Sequence, residues 1–93
     1  SVDLQEMKLC KNGEEIQLTA SEWKLLAVLL KNAGKVLSRE QLIELAFGFD
    51  HDSYDRVVDT HIKNLRRKIE RDLHAPEHIK TVHGMGYRFE VGR

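Results

Sequence analysis

Asp55-Arg-Val-Val-Asp-Thr-His-Ile-Lys-Asn-Leu-Arg-Arg-Lys-Ile-Glu70 is the stretch on which the reading of this chain turns. Val58, Ile62, Leu65 and Ile69 recur at helical spacing and form an apolar stripe. At about 100° per residue, the opposite side carries Arg56, Thr60, Lys63, Asn64, Arg67 and Arg71, and no carboxylate. One face packs on a core; the other presents cations and hydrogen-bonding groups. A helix that lies in a DNA major groove needs that second face, with charge for phosphates and Thr and Asn for base edges. A basic helix face taken alone is more often a solvated surface, so the neighbouring sequence carries the argument further.

Upstream, Ser38-Arg-Glu-Gln41 is a capping box that opens a helix through Leu42, Leu45 and Ala46 to about Phe47. Gly48 to Ser53 is a loop holding Asp50 and Asp52, and Asp55 caps the basic helix. Further upstream, Thr19-Ala-Ser-Glu22 is a second capping box. It starts a helix to about Asn32 with Trp23, Leu26, Ala27 and Leu30 as its core stripe, stopped by Gly34. Val36-Leu37 reads as a minimal extended link.

Asn12-Gly13 is a two-residue turn signal, since both positions tolerate positive φ. It pairs Lys11 with Glu14, Leu9 with Ile16 and Met7 with Leu18, and period-2 alternation buries Met7, Leu9, Ile16 and Leu18. Cys10 falls on the other face, and a short strand around Val2–Leu4 precedes the hairpin. Downstream, Ala75-Pro76 ends the helical region. Ile79–Val82 and Tyr87–Val91 alternate as strands around His83-Gly84-Met85-Gly86. The expected fold is α+β: N-terminal antiparallel strands, three helices and a C-terminal hairpin, which is a winged helix-turn-helix. The helix at about 55–71 is its recognition helix and the hairpin, with its tip at 83–86, its wing.

Composition bounds the function. Ninety-three residues, 41% hydrophobic and 32% charged, fit one small globular domain. No apolar stretch approaches the ~18 residues of a membrane span. One cysteine rules out an internal disulfide and suits a reducing cytosol, so a cytoplasmic location is expected. Net charge is zero but unevenly spread: residues 1–50 carry 6 Lys/Arg against 8 Asp/Glu, residues 51–93 carry 9 against 7. Residues 56–71 alone carry 6 basic and 2 acidic side chains, a local footprint for few phosphates.

No glycine loop follows a strand to cradle phosphate, and no nucleophile elbow or metal-ligand set is present. His74 and His78 have zinc-compatible spacing, but Pro76 breaks the helix between them. No enzyme activity, metal or cofactor is expected. Trp23 and the ring of Tyr87 read first as core, and the glycines of the tip as turn residues. His61 points midway between the two faces of its helix.

Val58-Asp-Thr-His-Ile62, Leu65-Arg-Arg-Lys-Ile69 and Thr81-Val-His-Gly-Met-Gly-Tyr-Arg-Phe89 resemble the C-terminal effector domain of OmpR/PhoB-type response regulators. Leu18-Thr-x-x-Glu22, Leu25-Leu26 and Leu37-Ser-Arg-Glu-Gln-Leu42 match the same pattern in register. The resemblance implies sequence-specific binding to tandem half-sites on double-stranded DNA, with the isolated domain monomeric and a head-to-tail pair on the duplex. It also implies an N-terminal receiver domain, outside this sequence, controlled by a histidine kinase. The family's N-terminal sheet usually has four strands, so an edge strand is expected to be missing.

By the same resemblance, Thr60 and Asn64 read bases, while Arg56, His61, Lys63, Arg66 and Arg67 touch bases or phosphates. His83 occupies the wing tip, where many members insert arginine into the minor groove, and Tyr87 lies where a hydroxyl reaches a phosphate. The 48–54 loop, with Asp50 and Asp52, matches a segment that some members present to RNA polymerase. Asn64 replaces a common arginine, which favours adenine over guanine. His83 in place of arginine makes for a weaker, pH-dependent contact. Trp23 stands where Phe or Tyr is usual and Phe47 where Trp is common, a compensating exchange of aromatic volume.

Overall fold

The computed structural model describes residues 2–3, 6, 8–48 and 55–91. They form β1 (Val2–Asp3), β2 (Lys8–Lys11), β3 (Glu14–Glu15), α1 (Ala20–Lys31), β4 (Val36–Leu37), α2 (Arg39–Phe47), α3 (Asp55–Ile69), β5 (Ile79–Val82) and β6 (Gly86–Phe89). Two antiparallel three-stranded sheets, ordered β1-β2-β3 and β4-β6-β5, flank the helices. This is the winged helix-turn-helix expected from the sequence.

The first hairpin folds as its turn dictates. Asn12 and Gly13 sit at φ 54° and 82°, the mirror-image turn that matches strand twist. Lys11 faces Glu14, and the Ile16 N–H donates to the Leu9 carbonyl at 2.7 Å. Leu9 is buried, with Ile16 and Leu18 packed against the core. Met7 lies outside the described residues.

Both capping boxes form. Thr19 Oγ1 accepts from the Glu22 N–H and Glu22 Oε1 from the Thr19 N–H; Ser38 and Gln41 repeat the exchange. The buried arc of α1 differs from the expected stripe. Leu25, Leu26 and Leu29 are almost fully enclosed, whereas Ala27 and Leu30 lie at the margin. Because α1 packs on α2, α3 and β6 together, its buried sector is wider than one stripe and is centred elsewhere. Val58, Ile62 and Leu65 of α3 are fully buried at the centre of the same core.

The link at Val36-Leu37 is a true strand. Val36 pairs with Arg88 and Leu37 with Tyr87, so the wing has three strands. β6 spans Gly86–Phe89 and not Tyr87–Val91, and Val91 is exposed. Gly86 explains the early start. It faces Val82 at φ 138°, and a Cβ there would overlap the Leu37 carbonyl, so only glycine lets β4 close on the wing. The turn at 83–85 is closed by Met85 N–H to Val82 O at 2.9 Å.

Candidate nucleic-acid interface

Helix α3 ends at Ile69, short of the expected Arg71, because Glu70 turns inward. Its buried carboxylate accepts from the backbone N–H groups of Glu77, His78 and Ile79, at 2.9, 3.1 and 2.8 Å. A carboxylate at a helix C-terminus opposes the macrodipole. Here it is compensated by three donors, which fix the segment leading from α3 into the wing.

The side chains expected to meet DNA fall into three groups. Thr60, Lys63 and Arg67 are exposed and Asn64 is half-buried, all on the side of α3 away from Val58, Ile62 and Leu65. Exposed Arg71 follows the helix. His83 is exposed at the wing tip, two residues before exposed Met85.

Arg66, His61 and Tyr87 make contacts within the protein. Arg66 donates through Nε and Nη2 to the Ile79 carbonyl at 3.1 and 2.9 Å, and through Nη2 to Thr81 Oγ1 at 2.7 Å. Its guanidinium also lies over the Tyr87 ring, 5.5 Å from the centroid. Arg66 therefore ties α3 to β5. His61 leans toward Phe47, with ring centroids 6.5 Å apart, and its Nδ1 is buried without a hydrogen-bond partner among the described residues. Tyr87 is buried, and its hydroxyl donates to Asp59 Oδ1 at 2.6 Å. Burial, and then the adjacent Asp59 carboxylate, push the Tyr87 pKa up to about 12. The hydroxyl keeps its proton, and the hydrogen bond directs it to Asp59.

Asp50 and Asp52 lie outside the described residues, as do the side chains of Arg56 and of Asp55, the expected cap.

Four functional-looking contacts have no counterpart in any local sequence pattern. Asp59 accepts from Arg39 Nε at 2.8 Å as well as from Tyr87. Burial by itself would raise the Asp59 pKa; the hydrogen bonds from Arg39 and Tyr87 outweigh it and hold the carboxyl below its ordinary value. Glu22, buried on α1, pairs with Lys68 at 2.6 Å, and Lys11 Nζ donates to the Glu70 carbonyl at 3.2 Å. The partners lie 20 to 59 residues apart, beyond any local pattern.

Among the described residues no group of three metal-ligating side chains occurs, and no helix is long and apolar enough to cross a membrane.

A mixed fold with α2 and α3 as a helix-turn-helix, a cationic outer face on α3 and a three-stranded wing defines a winged-helix regulator domain. Residues 13–89 match the family model described as "Transcriptional regulatory protein, C terminal". The chain belongs to this family, the C-terminal DNA-binding domains of OmpR/PhoB-type response regulators. It is 42% identical over 89 residues to the sensory transduction protein RegX3 of Mycolicibacterium smegmatis, covering 96% of this chain and 39% of that protein. Among solved structures it resembles the response regulator DrrB of Thermotoga maritima, with TM-score 0.87, 39% identity, and 97% and 41% of the two chains covered. It also resembles the Klebsiella pneumoniae RstA DNA-binding domain, solved in complex with the RstA box, with TM-score 0.84, 31% identity, and 96% and 88% covered. The chain thus spans about two fifths of the length of RegX3.

Proposed function

We propose that this chain is the output domain of a phosphorylation-controlled response regulator, with α3 in the major groove and the wing tip at the minor groove. The observation that carries the reading is the outer face of α3. Thr60, Lys63 and Arg67 are exposed on that face while Val58, Ile62 and Leu65 anchor the helix in the core.

Thr60 and Asn64 then read base edges, with the Asn64 amide suited to adenine. Lys63 and Arg67 neutralise phosphates, Arg56 extends that set, and His83 approaches the minor groove. Arg66 and Tyr87 brace the framework. So small a footprint makes a single domain bind weakly. A head-to-tail pair on tandem half-sites about 10–11 base pairs apart places both recognition helices on one side of the duplex and raises effective concentration. The receiver, its histidine kinase and contact of the 48–54 loop with RNA polymerase belong to this reading through the family resemblance alone.

The test is selection of bound sites from random duplexes, followed by affinity against salt. Asn64→Ala should cost about 1–3 kcal/mol at one base position of each half-site and leave the others alone. Arg67→Ala should weaken all sequences alike and reduce the salt slope by roughly 0.9. A chain that selects no site and shows no salt slope would be a winged helix serving protein partners instead.

A further inference from the structure

Asp59 occupies an odd place for a DNA-binding helix. It directly precedes Thr60, on the border between the buried stripe and the outer face, and its side chain is 44% exposed. A carboxylate beside a face that meets phosphates repels them. The contacts of Asp59 point to what it does there. One oxygen, Oδ1, accepts from Tyr87 Oη of β6 at 2.6 Å and from Arg39 Nε at the first residue of α2 at 2.8 Å. The Tyr87 ring is flanked by two guanidinium groups, Arg39 at 5.9 Å and Arg66 at 5.5 Å from its centroid. Arg66 is itself fixed to Ile79 and Thr81 of β5. Asp59 thus joins both helices of the helix-turn-helix to the wing, and Arg39 offsets its charge.

We infer that Asp59 is a positioning residue for DNA recognition: by accepting from Tyr87 and Arg39 it fixes the wing against α2 and α3, and so sets how the wing reaches the duplex. This rests on the DNA-binding reading above. It also has a distinctive sign. If Asp59 acted only through its charge, removing it would tighten binding. A positioning role makes removal weaken it.

The experiment uses the 93-residue chain and a duplex selected by it, with affinity measured by titration and contacts mapped by hydroxyl-radical footprinting. The parent should protect the pairs under α3 and a flanking minor-groove patch under the wing. Tyr87→Phe keeps the ring and removes only the hydroxyl, and Asp59→Ala removes the acceptor. Each should weaken binding about ten-fold, the scale of one hydrogen bond to a charged group, and should erase the flanking patch while protection under α3 persists. Combining them should weaken binding no further than the weaker single variant, because both cut the same link. Asp59→Asn, which retains an oxygen for Tyr87, should restore part of the flanking patch. Thermal melts identify any variant that is unfolded; if Asp59→Ala is, Tyr87→Phe and Asp59→Asn carry the comparison.

Tighter binding by Asp59→Ala, additive single effects, an intact flank or uniform loss over the whole footprint each overturns the positioning role. A parent without salt-dependent duplex binding defeats the DNA-binding reading itself, and this role with it.

Discussion

The N-terminal hairpin turns on Asn12 and Gly13, and everything about its register follows from those two neighbours. The wing closes through a different set of contacts. Its strand β5 is held by the Glu70 carboxylate and by Arg66, and β6 by Asp59 through Tyr87. A third strand, β4, arrives from between α1 and α2. The first hairpin is encoded by adjacent residues, the second by residues far apart in the chain. The difference matters for function, because a wing that must meet DNA at a fixed distance from α3 has to take its position from α3.

The largest effect should come from Gly86. At φ 138° it already sits where side chains are strained, and a Cβ would strike the Leu37 carbonyl with the Ser38 Cα only 2.9 Å away. All the atoms in the way are backbone, so neither side can yield by rotating a torsion. Gly86→Ala should cost about 3–5 kcal/mol, combining left-handed strain with overpacking. For a small domain that is most of the total stability. Urea denaturation would measure it, and a loss under about 1 kcal/mol would mean that β4 is not pressed on the wing.

Glu70 comes next. Glu70→Gln replaces an acceptor-only carboxylate by an amide whose NH₂ faces backbone donors, leaving at least one buried N–H unpaired. The expected cost is about 2–3 kcal/mol. Amide exchange should quicken first at Glu77, His78 and Ile79, and the first hairpin should keep its protection. An unchanged urea midpoint would show that the segment into the wing does not depend on Glu70.

These two sites also mark the limit of what the sequence discloses. The stripe Val58, Ile62, Leu65, both capping boxes and the Asn12-Gly13 turn are local periodicities, and each appears in the fold where its pattern places it. The outer face of α3 was legible for the same reason. The ring of Tyr87 was legible as core, but the partners of its hydroxyl and of Arg66, Asp59 and Thr81, are set by tertiary geometry and have no local pattern. Val36-Leu37 looked like a link because a two-residue strand has no period, and its pairing with β6 is set 50 residues away.

A smaller, pH-dependent effect should come from Glu22, which sets α1 against α3. Burial opposes its charged form, yet Lys68 and the Thr19 N–H and hydroxyl outweigh burial, and its pKa falls below the ordinary 4.5. A carboxyl with a depressed pKa in the folded state adds stability that is fully present above the unfolded value. That stability is lost as pH falls through the folded value. Stability of the parent should therefore fall more steeply than that of Glu22→Gln below about pH 4.5. Parallel curves would show that the pair with Lys68 adds nothing to folding.

The smallest effect should be at Gly13. It lies at φ 82° with open space around the position of a Cβ, so alanine there meets backbone strain but no clash. The cost should be about 1 kcal/mol. Because the turn acts only through its own hairpin, the damage should stay local. The Ile16 amide, bonded to the Leu9 carbonyl at 2.7 Å, should exchange faster, while the amides of β5 and β6 keep the parent's rates. Gly86→Ala should disturb the wing and its neighbours together. If Gly13→Ala instead cost more than about 2 kcal/mol and speeded exchange in both hairpins, the N-terminal hairpin would not be a locally encoded unit. It would then be stabilised, like the wing, by what it packs against: Leu9 and Ile16 on the core would matter more to it than Asn12 and Gly13 at its tip.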